Sequence, residues 1–232
     1  GKSSSYGTPP PSLAKGERTY HSLYQLCRGC TNEQRTQLQL GDPKDFRYIG
    51  TSANVAIPNV DDVAWWAETC HAMEVFGLSG ADTDGLRHIL AAVLHVGNLV
   101  FATLKIEQQD DGSKVDDASQ PALKALAALV GVATPALESA LTVKSVGKFP
   151  VVQVPQPPAK ATATRDALAK ALYGQLFEWT IGRLNGVMGS GTGAADAKRT
   201  IGMLDIFGFE AFTKNSLEQL LINFANEKLQ EH

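Results

Sequence analysis

Net charge is nearly absent: 21 Lys and Arg stand against 24 Asp and Glu, a balance of −3 over 232 residues. That excludes a global basic field of the kind that gathers nucleic acid or an anionic membrane. No uninterrupted apolar run approaches the roughly 18 residues of a spanning helix. The N-terminus lacks the charged-then-apolar pattern of a secretory signal. Only three cysteines occur, which excludes a dense disulfide framework and fits a reducing cytosol. No internal repeat is evident. What remains is ordinary in bulk: 44% apolar and 19% charged residues, the profile of a globular protein with one sizeable domain or two small ones.

Two small clusters invite a metal or redox reading. Cys27 and Cys30 form a C-x-x-C pair, but zinc needs two further ligands and only Cys70 with His71 offers a companion. Small thiols near a helix end are the better reading. His88 and His95 lie seven apart on one helical face and read as satisfied histidines, as does His21. No catalytic role attaches to them, to Lys170 or to Trp179.

Along the chain, residues 1–15 read as a loosely packed lead rich in Ser and Pro. Helix is expected from about Glu17, with Tyr20, Leu23, Tyr24 and Cys27 on one face. A polar, turn-rich stretch follows from Asn32 to Asn59. Asp61 or Asp62 then caps a helix that reaches Phe76 and closes at Gly77. Leu86, Ile89, Leu90, Val93 and Leu94 keep helical spacing, with Gly97 placed to end that helix. Leu99 to Ile106 reads as a strand, followed by an acidic loop at Asp110-Asp111-Gly112. Helices are expected at about 118–130 and from Thr134-Pro135. Residues 143–160 hold several prolines among β-branched residues and read as a stiff, extended, exposed hairpin or loop. A long helix from about Thr164 to Asn185 carries Leu168, Leu172, Leu176 and Trp179 on one stripe, and Gly186 to Ala195 reads as a flexible linker.

The most informative stretch is Leu204-Asp205-Ile206-Phe207-Gly208-Phe209-Glu210. Its apolar lead (Ile201, Met203, Leu204) suggests a buried strand ending at a carboxylate, a common way to set an acid near phosphate-bound magnesium. Gly208 allows close backbone approach to a ligand. Ser216 and Gln219 fit a capping box opening a helix with Leu217, Leu220, Leu221 and Phe224 as its apolar positions.

This stretch, D-I-F-G-F-E followed by N-S-L-E-Q-L-L-I-N-F-A-N-E-K-L-Q, closely resembles the second switch and relay helix of the myosin motor domain. G-E-R-T-Y-H-S-L-Y-Q-L from Gly16, I-L-A-A-V-L-H-V-G-N-L-V-F from Ile89, and Asp166 to Lys170 with Tyr173, Leu176, Phe177 and Trp179 match in the family's order. The resemblance implies a mainly α fold with a few strands, part of the α/β P-loop NTPase-type motor. Residues 16–195 would be its helical upper region, and 196–232 the second-switch strand with the start of the relay helix.

The same resemblance implies an ATP-driven, actin-based motor, in the cytoplasm on the actin cytoskeleton, with ATP and Mg2+ as cofactors and the actin filament as partner. Neither nucleic acid nor membrane is implied, and no light chain is expected on this stretch. Asp205 would support magnesium through water, Gly208 would offer its N–H to the γ-phosphate, and Glu210 would pair with a first-switch arginine to close the site. Lys148, Pro150 and Val151 fall in the surface loop that helps grip actin. Pro150 stands where many myosins carry an acidic or phosphorylatable residue.

Departures temper these implications. The phosphate-cradling G-x-x-x-x-G-K-[ST] is missing. Gly1-Lys2-Ser3 mimics only its tail, and Gly1-Lys2 or Ser4-Ser5-Tyr6-Gly7 reads as debris of the first switch without its arginine. The isolated chain is therefore expected to show no ATP turnover and, through an unpaired strand edge at Asp205, poor solubility. Three readings stay open: a motor fragment, a non-catalytic module binding actin or another partner, or an incomplete gene product without independent activity.

Overall fold

The computed structural model describes residues 18–50, 55–105, 112–189 and 201–231. The chain divides into two compact units, residues 1–189 and 190–232. The lead at 1–15, the acidic pair Asp110-Asp111 and linker residues 190–195 lie outside the described residues.

The first unit is helical, with two small antiparallel sheets. Helix α1 (His21–Gly29), α2 (Asn32–Gln37), a 3-10 turn at Pro43–Asp45 and α3 (Arg47–Gly50) lead into α4 (Asp62–Val75) and α5 (Ala81–Gly97). Strands β1 (Phe101–Leu104) and β2 (Gly112–Val115) pair next, followed by α6 (Gln120–Val130) and α7 (Thr134–Thr142). A hairpin of β3 (Val143–Val146) and β4 (Val152–Pro155) precedes the 32-residue α8 (Pro158–Gly189).

The stretch expected to be turns from Asn32 to Asn59 carries α2, α3 and four core side chains, Leu38, Leu40, Phe46 and Ile49. Its polar residues misled the reading because they cap. Thr31 Oγ1 accepts from Gln34 N at 3.3 Å, and Gln34 Oε1 accepts from Thr31 N at 3.0 Å. A reciprocal box satisfies two otherwise orphaned donors, so a short polar run can still form a helix.

Helix α5 runs between two apolar clusters. Leu90, Ala91 and Leu94 join α1, α3 and Trp66 of α4; Ala92 and Val96 join Leu99, Phe101, Val115, Leu123, Leu126 and Leu137. The sequence showed one stripe, whereas residues 90–97 are buried throughout. Gly97 ends the helix as expected, though not through a left-handed cap. A Cβ there would stand 2.6 Å from the Tyr48 ring, so the position is kept small by packing. Gly77, by contrast, takes φ +70 just past α4, the left-handed backbone that glycine adopts without a Cβ clash.

Asp61 is the cap of α4, its Oδ1 accepting from Val63 N at 2.9 Å and Ala64 N at 3.1 Å. Asp62 is buried instead. Its carboxylate takes two hydrogen bonds from Arg18, at 2.9 and 2.5 Å, and one from Arg28 at 2.7 Å. Arg18 also lies 4.4 Å over the Tyr24 ring.

In α8 the deepest positions are Ala161, Arg165 and Ala169, while Leu168, Leu172 and Leu176 are half-buried and Trp179 is exposed. Arg165 donates to the Leu99 carbonyl at 2.7 Å and pairs with Asp166, which accepts from Tyr48 Oη at 2.6 Å. A buried cation is costly unless its donors are satisfied, and here they bind α8 to the end of α5. The loop expected around Gly112 proves to be strand β2, pairing with a strand shorter than the predicted one.

The second unit holds α9 (Leu217–Gln230) and an irregular segment before it. The strand expected at Ile201 to Asp205 does not form: residues 201–212 carry no regular secondary structure. A strand needs a neighbour to satisfy its backbone, and no strand lies beside it among the described residues of this unit. The expected strand edge is absent with it.

Candidate functional site

The D-I-F-G-F-E segment is irregular, yet its end is held at defined points. Asn215 accepts from Phe212 N at 2.9 Å and donates to Phe212 O at 2.8 Å. Asn223 does the same one step back, accepting from Glu210 N and donating to Glu210 O, both at 2.8 Å. A carboxamide carries an acceptor and two donors on one plane, so it can serve both polar groups of one residue as a strand neighbour would. Side-chain amides thus take over part of what a sheet would have supplied.

The predicted capping box of α9 is present. Gln219 Oε1 accepts from Ser216 N at 2.8 Å, while its Nε2 reaches Glu210 Oε2 at 3.5 Å. Helix entry and the Glu210 carboxylate therefore share one amide. Gln219, Ile222, Asn223 and Asn226 are the half-buried positions of α9, at spacings of three and four. The apolar positions picked out in the sequence, Leu217, Leu220, Leu221 and Phe224, are all more than half exposed. The loop therefore lies along a polar stripe. Asn223 escaped the sequence reading, although amide side chains one turn apart on an apolar helix were a legible signal.

Asp205 and Gly208 are exposed. A Cβ built on Gly208 meets nothing within 4 Å, and its φ is not among the positive ones. Neither steric crowding nor backbone conformation in this segment demands glycine. For magnesium, a single exposed carboxylate suits contact through water rather than a protein cage, and among the described residues no group of three or more His, Cys, Asp or Glu gathers.

The hairpin places Lys148, Pro150 and Val151 together at its exposed tip, with Phe149 between them fully exposed. No acidic residue occurs between Val143 and Pro155. Cys27 and Cys30 are buried side chains of the α1 cluster. Burial, then the neighbouring Cys30, pushes the Cys27 thiol up to about 12; burial chiefly pushes Cys30 up to about 11. In a thiol titration of the native protein, Cys70 alone is expected to react, with Cys27 and Cys30 following only on unfolding. Early loss of all three thiols would contradict that burial. His95 is held neutral by burial, its Nε2–H donating to the Leu38 carbonyl at 3.0 Å, and His88 Nδ1 bonds the Asp84 carbonyl at 2.7 Å.

A model of the myosin head (motor domain) matches residues 12–232. The chain is 39% identical to Myosin-17 of Arabidopsis thaliana over 95% of its length, and 41% identical to the Myosin-I heavy chain of Dictyostelium discoideum over 94%. It is 38% identical to Myosin-1 of Emericella nidulans over 93%. It spans only 14%, 9% and 17% of those three proteins, respectively.

Proposed function

Because the chain belongs to the myosin head (motor domain) family, we propose that it forms part of an ATP-driven, actin-based motor of the cytoplasm. In this reading residues 16–195 are the upper region of the motor, and 196–232 carry the second switch and the start of the relay helix. Asp205 holds magnesium through water, the Gly208 N–H meets the γ-phosphate, and Glu210 pairs with an arginine to close the site. Magnesium supplies neutralisation of the charge on the phosphate oxygens. The chain's own residues position and sense, since the loop closes only while the γ-phosphate is there to be held.

The observation that carries this reading is the grip of α9 on the D-I-F-G-F-E loop through the backbone of Glu210. A loop so tied to a helix is arranged to pass on its position. In the first unit, the exposed hairpin tip with Lys148, Pro150 and Val151 is the surface that meets the filament in this reading. Its lysine suits an acidic surface, and its apolar residues suit a shallow apolar one.

The test is phosphate release by the purified full-length protein that contains this sequence, with and without actin filaments. Hydrolysis that rises with filament concentration is expected. A protein that binds filaments without hydrolysing ATP would instead be a non-catalytic module, and the motor reading would fall.

A further inference from the structure

We infer that the cleft between the end of α1, α4 and the first turns of α5 binds a small monocarboxylate with a flat apolar body, the carboxylate held by Arg87 and the body lying against α4. The cleft belongs to the first unit and is independent of the phosphate-sensing role given to residues 205–210. It encloses about 370 Å³, inside the range of roughly 300–1,000 Å³ typical of small-ligand sites. Its shape is already set. Gly29 lies so close to Trp66 that a Cβ on it would stand 2.3 Å from the Trp66 Cβ. The end of α1 and α4 are thus in contact at that wall, and close packing there keeps the two helices from moving nearer and filling the space.

Charge selects the polar end of the ligand. Arg87 and Glu74 are the charged side chains of the wall among the described residues. Arg87 is only 13% exposed, whereas Asp84, its ion-pair partner at 2.6 Å, is 60% exposed. A solvent-facing carboxylate neutralises a covered guanidinium only weakly. The hydrogen bonds to Asp84 and Thr83 both leave from Nη2, and a guanidinium presents five donors in a fork that suits a further carboxylate. The thiols sense the same field. Burial raises Cys70 most; the charge of Arg87 comes next and lowers it by more than Glu74 raises it. At Cys30, between the lining residues Gly29 and Thr31, burial again dominates while Arg87 and Arg35 both lower the thiol. A second negative charge on the ligand would meet Glu74, which limits it to one. Gly29, Trp66 and Cys70 leave only uncharged contacts for the body.

Cys70 makes occupancy measurable, because its half-buried thiol lines the cleft. The experiment uses the full-length protein containing this sequence, with naphthalene-1-acetate as the probe. Labelling by N-ethylmaleimide is read on the Cys70 peptide by mass spectrometry. The sulfur adds to the maleimide double bond and the thiol proton ends on the adjacent carbon, so no oxidant is needed. With the probe at about 1 mM, labelling is expected to slow about tenfold and to fall hyperbolically with concentration, as for a Kd of about 0.1 mM. The uncharged naphthalene-1-acetamide is expected to leave the rate nearly unchanged. Arg87→Gln should weaken the acid by about tenfold, the scale of a charged hydrogen bond.

Equal protection by the acid and the amide would overturn the inference, since it would show apolar adsorption without recognition of charge. So would labelling that ignores the acid, or protection that persists undiminished in Arg87→Gln. The comparison of acid with amide needs only the unmutated protein, so it decides the matter even where the variant fails to fold.

Discussion

Gly208→Ala is expected to leave folding intact and to lower ATP turnover of the full-length protein by about 10²–10³-fold, the scale of losing one preorganised backbone donor at a developing charge. The unequal outcome follows from what surrounds the residue. A Cβ at Gly208 meets nothing within 4 Å, and the backbone there does not take the left-handed conformation that penalises alanine. Folding therefore has no reason to resist the substitution, and a Gly→Ala change at a compatible site can stabilise by about 0.4–1 kcal/mol. A phosphate approaching the N–H, however, would meet the added methyl. Thermal unfolding and kcat measured on the same preparation separate the two effects. Undiminished turnover would remove Gly208 from the phosphate site.

Asp62→Asn is expected to be the most damaging single change to the first unit, costing about 3–5 kcal/mol, the range for removing one partner of a buried ion pair. The Arg18 side chain is 0% exposed and that of Asp62 is 1% exposed, so the guanidinium would be left buried without its counter-charge. Arg28→Ala should cost much less, because that side chain is 29% exposed and partly screened by water. Burial on its own raises the Asp62 carboxyl, but hydrogen bonds and charge from Arg18, then Arg28, outweigh it and hold the group below its ordinary value. The pair's contribution is therefore fully present above the ordinary carboxylate range and is lost as pH falls through the lowered folded value. Urea unfolding at several pH values checks this. A midpoint in Asp62→Asn that falls with acid as steeply as the unmutated protein's would show that another group sets the acid limit.

Much of the helical framework was legible because its signals are local. Asp61 before an apolar run, Gly77 after it, Pro135 in a first turn and Ser216 with Gln219 each act within a few residues, and each marks the boundary it implied. Apart from the capped polar run of α2, the misreadings arose where a partner farther along the chain decides. Strand β2 exists because β1 lies beside it, and a Gly-Ser-Lys-Val run does not reveal that alone. Residues 201–205 look like a strand by their apolar residues, yet a strand is a relation between two segments. Arg165 was passed over because a charge in a helix reads as a solvated face until its acceptor, the Leu99 carbonyl, is found 66 positions away. At the candidate site, the motif and the cap could be read, but the amide grip on Glu210 could not, because it joins residues 13 positions apart across irregular backbone.

Helix α5 presents different residues to two packed clusters, with Ala91 and Ala92 completely buried on either side. Turning it by one position would press leucines where an alanine and a valine now fit, and open voids behind them. Either fault alone costs a few kcal/mol, and rotation in either sense incurs both. The helix is thus keyed on two sides, like a shaft with two splines. Along this axis α5 is held as a stator is, against rotation by the packing on both of its sides.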